Sequence, residues 1–325
     1  MTALEVVEPG VLSTIQDGGR PGYLDQGVPR SGAADAWSLG VANLLLGNRA
    51  DAAALEMTLL GPVLAVRATG IVAIAGADLA AEIPEEGRAL SPGASYLVRA
   101  GTTLRFAAAR AGMRGYLALP GGIAVEAVLG SASTCLAGGF GGTGGRALRR
   151  GDVLLPDGSL GTALAGRGWP SGGFDPLEAT PVALIPTIDP AGVHRDALAA
   201  LLAATWSVSP HSDRTGLRLS GPALPSDPQA GSLVSRGVVP GALQLPPGGE
   251  PIVLLVDGPT VGGYPVLAVV ASADVARLAQ RGPGDEVRFV AVTVSEGQAR
   301  WRAQVAELAA DGNHLRARDP WQSGV

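Results

Sequence analysis

Turn-forming residues interrupt this sequence about every ten residues, and that spacing restricts the chain to folds built from short strands. Glycine (48 residues) and proline (25 residues) make up more than a fifth of the 325 residues. The runs between the turns are rich in Val, Ile, Leu and Ala, as in GIVAIAGADL, ASYLVRAGTTLRFAAA and DEVRFVAVTV. Such runs are typical of β-sandwiches and β-barrels. The sequence therefore predicts a mainly β protein with a few helices.

Three segments show a helical period within this β pattern. Residues 33–48 place Ala36 and several leucines on one broad apolar face and end at a Gly-Asn stop. Residues 193–206 and 272–281 are the other two candidates, and Ser272 is the expected N-cap of the third. We predict a helix in each of these places.

Two blocks of sequence recur in the same order. AGADLA at 75–80 resembles ASADVA at 271–276, and RAGTTLRFAAA at 99–109 resembles RGPGDEVRFVAV at 281–292. Duplication of one small β-rich unit explains this order better than chance. A chain of this length is also long enough for two domains of about 150 residues each.

The boundary between the two predicted domains is marked by GRGWPSGGFDP, residues 166–176, which has the composition of a linker. We therefore predict a first domain over residues 1–168 and a second domain over residues 169–325. An N-terminal segment that exchanges between the two domains is compatible with this division.

The charged residues exclude several classes of function. The net charge is -5 and no basic block is present, which argues against a nucleic-acid partner. All 24 basic residues are arginines, so the chain has no lysine at all. It therefore cannot form a lysine Schiff base, supply a P-loop lysine or carry covalent biotin.

Apolar and cysteine content indicate a cytoplasmic chain. The longest apolar runs, such as PIVLLV and VLAVVA, fall far short of the about 20 residues that a membrane helix needs. The segment MTALEVVEPG lacks the features of a signal peptide. The single cysteine, Cys135, cannot form an internal disulfide, and we expect a small buried thiol there. The three histidines have no cysteine or carboxylate cluster near them, so we expect no metal site on this chain.

A stiff polar stretch follows the first predicted strand. QDGGRPGYLDQGVPRSGAAD, residues 16–35, holds five glycines, two prolines, two arginines and three aspartates. Its restricted backbone reduces the entropy cost of holding polar groups in place. From the residues alone this first loop is a pre-organised polar loop that is either a connection or part of a site.

Three further stretches are ambiguous in the same way. GGFGGTGGRALRRGD, residues 138–152, is either a mobile glycine loop or a loop whose amides close over an anionic ligand. In PHSDRTGLRLSGP, residues 210–222, Arg214 either pairs with Asp213 at the surface or offers a bidentate fork to a carboxylate. VDGPTVGGYP, residues 256–265, ends in a turn that carries a tyrosine.

Taken in order, these motifs resemble one family. The segments that carry the resemblance are VVEPGVLSTIQDGGRPGYLDQGVPRSGAAD, ALEMTLLGP, GGFGGTGGRALRRGD, SPHSDRTGLRLSGP and VVPGALQLPPGGEPIVLLVDGPTVGGYP. The family is that of allophanate hydrolase subunit 2, also called the biotin-dependent carboxyltransferase family or the family of the 5-oxoprolinase C component. It includes the antagonist of a sporulation kinase inhibitor and a stretch of the urea amidolyase chains. The resemblance covers nearly the whole chain.

The resemblance implies two cyclophilin-like β-barrel domains and a hetero-oligomer with a cyclophilin-like partner of the subunit 1 family. It implies a hydrolase component, inactive alone, in an ATP-dependent 5-oxoprolinase that converts 5-oxoproline to glutamate with a third protein. One alternative is an allophanate hydrolase or urea carboxylase type of carboxyltransferase served by a separate biotinylated protein. Another is a regulatory protein that sequesters its subunit 1 partner and releases a kinase.

Site residues are carried over from the matching motifs. Those expected to be catalytic are Asp17, Arg20, Asp35, Arg214 and Tyr264. Those expected to bind substrate are Gln16, Tyr23, Ser31, Gly141, Gly142, Ser212, Gly262 and Gly263.

Two expectations about this set can be tested by structure. Arg20 should be an exposed loop arginine whose removal leaves no core cavity, and a carboxylate-bearing ligand should bind where the first loop, the 138–146 glycines and the Arg214 segment converge. The chain also departs from the family pattern before Tyr264, because Pro259 and Val261 stand where relatives often carry Gln and Thr. This departure weakens the case for urea carboxylation.

Overall fold

The structure is a computed structural model that describes residues 2–158, 164–170, 174–187, 195–226 and 234–317, with side chains up to Leu315. Its contacts divide the chain into two compact units. Unit 1 comprises Met1–Arg20, Ser31–Pro176 and Val305–Val325, and unit 2 comprises Pro21–Arg30 and Leu177–Gln304. The domain boundary that we placed at 168/169 stays a prediction.

Unit 1 contains two antiparallel sheets. The strands are β1 (Ala3–Glu8), β2 (Leu12–Gln16), β3 (Ala54–Thr58), β4 (Val63–Ala68), β5 (Gly70–Asp78), β6 (Ala81–Ile83), β7 (Arg88–Leu90), β8 (Ala94–Val98), β9 (Thr103–Arg105), β10 (Ala111–Ala118) and β11 (Val153–Leu154). The six-stranded sheet has the order β11-β1-β4-β9-β6-β7, and the five-stranded sheet has the order β2-β3-β10-β5-β8.

The core of unit 1 follows from the alternation of side chains along these strands. In β1, Leu4 and Val6 are fully buried while their neighbours are partly exposed, which is the period-two pattern of a half-buried strand. Their side chains join one hydrophobic cluster with residues of the other sheet, such as Met57 and Ile74. The two sheets therefore share a single core.

Helix α1 (Ala36–Leu45) confirms the helix predicted over 33–48. Asp35 is its N-cap, and the Asp35 carboxylate accepts a hydrogen bond from the Ser38 amide. The helix is buried on almost every side, so the single apolar face that we predicted is too narrow a description. Ala36 in particular is exposed.

Unit 2 is built around one sheet that closes on itself. Its strands are β12 (Val182–Pro186), β13 (Trp206–Val208), β14 (Gly216–Ser220), β16 (Ala242–Gln244), β17 (Ile252–Leu254), β19 (Val266–Val270), β20 (Glu286–Val287) and β21 (Phe289–Ala291). The order is β20-β13-β14-β17-β16-β19-β12-β21. The two outermost strands are separated only by Arg288, so this short segment joins both ends of the sheet into a nearly closed barrel. A small ribbon of β15 (Arg236–Gly237) and β18 (Val261–Gly262) accompanies it.

Unit 2 also contains the other two predicted helices. Helix α2 (Arg195–Ala203) lies within the range 193–206, and helix α3 (Val275–Ala279) follows a 3₁₀ turn over Ser272–Asp274. Ser272 is not the N-cap, because that position belongs to Ala271 for the turn and to Asp274 for the helix. The sequence pattern did not predict helix α4 (Val294–Ala317), which is the longest helix in the described part of the chain.

Two segments singled out in the sequence have local structures that their patterns did not predict. The repeat pairs AGADLA with ASADVA, but the first forms the end of β5 whereas the second forms the 3₁₀ turn and the start of α3. The described part of 166–176 is not an extended linker, since the Trp169 amide donates to Gly93 and the Trp169 ring meets Trp37 edge-on, with centroids 6.4 Å apart. Within the described ranges, no helix has both the length and the apolar character needed to cross a membrane.

Candidate functional site

The first loop is held in place by Asp17, which we predicted to be catalytic. One carboxylate oxygen of Asp17 accepts hydrogen bonds from the Gly19 amide at 2.8 Å, from Ser131 Oγ at 2.6 Å and from Ser133 Oγ. Its other oxygen accepts from the Ala132 amide at 2.7 Å. Four donors therefore converge on this carboxylate. In the structure, Asp17 connects the first loop to residues 131–133.

We predicted that Arg20 is exposed, but its side chain is fully buried. Its Nη2 atom donates a hydrogen bond to the carbonyl oxygen of Ser133. The guanidinium also lies over the Phe140 ring, 4.9 Å from the ring centroid. A buried guanidinium needs such partners because the loss of hydration is costly. Arg20 thus clamps the first loop to the 133–140 segment, and a catalytic role for it stays a prediction.

The glycines of the 138–146 segment have a packing role around this clamp. A Cβ atom at Gly141 would lie 2.1 Å from the Ser133 carbonyl oxygen and 3.1 Å from Arg20 Nη2. A Cβ atom at Gly142 would lie 2.0 Å from Thr134 Oγ1, and the Gly142 amide already donates to Ala132. Only glycine fits at these two positions without displacing a neighbouring atom, so the loop backbone is closely packed here against residues 132–134.

Two buried polar atoms of the first loop have no hydrogen-bond partner among the described residues. They are the Gln16 Oε1 and Ser31 Oγ atoms. The Gln16 amide nitrogen donates to Thr14 Oγ1 and to the Thr134 carbonyl, so only its oxygen is left over. Ser31 has the left-handed φ of 51°, which is unusual for a residue with a side chain. Substrate binding by either residue stays a prediction.

Asp35 belongs to a buried network that fixes the end of the first loop. Its carboxylate accepts from Ser38, and its amide donates to the Tyr116 hydroxyl at 2.9 Å. The Tyr116 hydroxyl in turn donates to Glu56 at 2.7 Å. Burial and the nearby carboxylates of Glu56 and Asp35 raise the pKa of Tyr116 well above its usual value, so this phenol stays protonated as a donor. A catalytic role for Asp35 stays a prediction.

Residues 21–30 of the first loop belong to unit 2. They form a 3₁₀ turn over Leu24–Gln26 that ends at Gly27, whose φ of 80° is left-handed. Tyr23 directly precedes this turn and is partly buried. Its backbone carbonyl accepts from the amides of Gln26 and Val28, so Tyr23 organises the turn.

Arg214 in unit 2 does not pair with Asp213, so that alternative is wrong. Its Nε atom lies 2.7 Å from one oxygen of Asp257, and its Nη2 atom lies 3.3 Å from the other. This is the bidentate fork that we predicted, but the carboxylate belongs to the protein itself. Asp213 instead accepts from the amides of Thr215 and Gly216. Ser212 exchanges hydrogen bonds with the backbone of Arg218, which also holds this segment together.

The Gly262-Gly263-Tyr264 turn lies beside a polar group that sequence reasoning missed. Gln244 on β16 is buried, and its Nε2 atom has no hydrogen-bond acceptor among the described residues. A Cβ atom at Gly262 would lie only 2.6 Å from this nitrogen, so the glycine makes room for the amide. Tyr264 itself is 39% exposed. The turn therefore combines an accessible phenol with a buried donor that lacks a partner.

The signal for Gln244 was present in the sequence. It is the one polar residue in the run GALQL, which otherwise reads as a wholly buried strand. A polar side chain at such a position either has a hydrogen-bond partner or destabilises the fold through the cost of its desolvation. That contrast marks Gln244 as a candidate without any motif.

The family whose pattern matches the chain is the carboxyltransferase domain, subdomain A and B, which spans residues 26–291. The chain belongs to this family. The match covers both units, and it includes the Arg214 segment and the Gly262-Gly263-Tyr264 turn. The resemblance inferred from the motifs is thereby confirmed.

Similar proteins of known name extend this result. The chain is 36% identical to the C component of 5-oxoprolinase from Escherichia coli over 293 residues, which is 90% of this chain and 92% of that protein. The crystal structure of TTHA0988 superposes with a TM-score of 0.79 at 38% identity and covers 89% of this chain. The Kluyveromyces lactis urea amidolyase superposes with a TM-score of 0.82 at 29% identity and covers 95% of this chain. The chain spans 56% of TTHA0988 and 20% of the urea amidolyase.

Proposed function

We propose that this chain is one component of a heteromeric enzyme that opens 5-oxoproline to glutamate in an ATP-dependent reaction. The partner is a protein of the subunit 1 family, and a third protein completes the enzyme. Support comes from the Escherichia coli relative, which is named as a component of 5-oxoprolinase and which the chain covers over 92% of its length. In this proposal the assembled complex binds ATP, and we assign no nucleotide site to this chain.

The observation that carries the proposal is the buried Gln244 amide beside Gly262. A lactam presents a carbonyl oxygen, and a side-chain amide is a suitable donor to that oxygen as negative charge develops on it. The ribbon of β15 and β18 over this position consists of only two residue pairs. A ligand that displaces the 261–264 turn, which includes the exposed Tyr264, would reach Gln244 Nε2.

The proposal is tested by reconstitution. The chain is co-expressed with a subunit 1 family protein and the third protein, and glutamate release from 5-oxoproline is followed with and without ATP. Gln244→Ala should lower kcat/KM by about 10²-fold, as expected for loss of one oxyanion donor. Gln298→Ala, an exposed glutamine on α4, is the matched control and should leave kcat/KM unchanged. Turnover that is independent of ATP, or unaffected by Gln244→Ala, would contradict the proposal.

A second candidate is carboxyl transfer from a separate biotinylated protein to a small amide such as urea. The family description and the superposition on the urea amidolyase favour it. The chain has no lysine, so it cannot be its own biotin carrier. Urea-dependent carboxyl transfer by the reconstituted complex, with no 5-oxoproline turnover, would select this function instead.

A further inference from the structure

A cleft of about 440 Å³ lies in unit 2, across the exposed side of β14. The titratable side chains that line it are those of His211, Arg218 and Glu250. Pro246 and Ile252 supply apolar surface, and the Ser220 hydroxyl adds a further polar group. The volume lies within the range of about 300–1,000 Å³ that small-molecule sites occupy.

Strand geometry explains why these side chains share one cleft. Arg218 lies directly opposite Ile252 in the β14–β17 pairing. Leu217 and Leu219 point into the core, so the alternation along β14 turns Arg218 and Ser220 outward. The Leu219 amide donates to the Pro251 carbonyl at 3.0 Å, which holds the segment that carries Glu250 beside β14.

The charged groups of the cleft are not engaged with each other. Neither Arg218 nor Glu250 makes an ion pair with any described residue, whereas Arg214, four residues earlier, is bound to Asp257. The hydrogen bonds of Arg218 that involve Ser209 and Ser212 use its backbone alone. A guanidinium and a carboxylate that line the same cleft are therefore both available to a ligand.

We infer that this cleft binds a small zwitterion of the α-amino-acid class. The ligand carboxylate would take the fork of Arg218, and the ligand ammonium would face Glu250. The ligand side chain would lie over Pro246 and Ile252. This site is separate from the Gly262 turn, and its occupancy does not depend on the lactam chemistry proposed above.

Binding to the full chain is the test, because it needs neither partner nor ATP. Isothermal titration with L-glutamate, L-glutamine and L-alanine, each up to about 20 mM, should give saturable binding of at least one of them, in the millimolar range or tighter. Glutarate keeps the carboxylates of glutamate but lacks the ammonium, so it should bind at least about 10-fold more weakly than glutamate, which is one power of ten in Kd.

Three variants locate the binding. Arg218→Gln and Glu250→Gln should each weaken the best amino acid by about 10-fold or more. Arg302→Gln removes an exposed arginine of the same unit that does not line the cleft, and this variant should bind as the unchanged chain does. Far-UV circular dichroism and thermal melting confirm that the variants are folded. The inference is overturned if no probe saturates, if glutarate binds as tightly as glutamate, or if both cleft variants bind normally.

Discussion

Replacing Arg20 distinguishes between two roles for this residue, a structural clamp inside unit 1 and an exposed arginine that binds a ligand. The guanidinium is fully buried, donates to the Ser133 carbonyl and lies over the Phe140 ring. The charge-assisted hydrogen bond is worth about 1.5–3 kcal/mol. The cation–π contact of a desolvated guanidinium is worth about 2 kcal/mol. Because these terms are not additive, we expect Arg20→Ala to lower the free energy of unfolding by about 3–5 kcal/mol.

Hydrogen exchange read by mass spectrometry is the suitable assay, because it reports on unit 1 locally even if the two units unfold separately. Protection should fall most in the peptides that cover residues 131–146. Urea unfolding of the same variant supplies the global value. Loss of enzymatic activity would not discriminate, since both a clamp and a ligand-binding arginine predict it.

The matched control is Arg149→Ala, which removes an exposed arginine of the same unit and should change stability by less than about 0.5 kcal/mol. If Arg20→Ala falls within about 1 kcal/mol of the unchanged protein and keeps its protection at residues 131–146, the clamp reasoning is wrong. The exposed binding role expected from the sequence would then be restored.

Two further predictions follow from single contacts. The Arg146 guanidinium holds the pKa of Asp152 below its usual value of 3.8. The contribution of this ion pair to stability is therefore fully present above that usual value, and it is lost as the pH falls through the lowered pKa. Asp152→Asn should therefore cost about 0.5–1 kcal/mol at pH 7, and urea titrations at successively lower pH should show this difference shrinking. Gly262→Ala should lower the free energy of unfolding by about 1–3 kcal/mol, because the new Cβ would lie 2.6 Å from Gln244 Nε2. The double variant with Gln244→Ala should recover most of this loss in urea unfolding. If it does not, the strain lies somewhere other than this contact.

The sequence predicted best those elements whose apolar period is complete. Helix α1 was found because nearly every residue of Ala36–Leu45 is apolar or small and buried. Helix α4 was missed because its few buried positions are Gly297, Gln304, Gly312 and Leu315, which show no apolar period. Two of them are glycines that let the helix approach closely, since a Cβ at Gly297 would lie 2.8 Å from Ile185. Packing through the absence of a side chain leaves no hydrophobic signal.

The sequence identified the candidate site residues as polar groups in stiff loops. It did not identify the residues with which these groups form hydrogen bonds and ion pairs. Arg20 was expected at the surface because a single charged residue among glycines has no local partner. Its actual partners, Ser133 and Phe140, lie more than a hundred residues further along the chain. The same holds for Arg214, whose partner Asp257 is distant in sequence while Asp213 is adjacent. Neighbouring charges in a sequence do not identify pairs that the fold brings together.

The closure of the unit 2 sheet through Arg288 has a consequence for how this unit is made. During synthesis β12 and β13 emerge long before the segment over residues 286–291 that pairs with both of them. Until that segment has left the ribosome, each of these strands has an unpaired edge open to other chains. Pairing across such long sequence separations is also intrinsically slow. The nascent chain therefore passes through an interval of exposure to aggregation that ends only when six consecutive residues close the barrel.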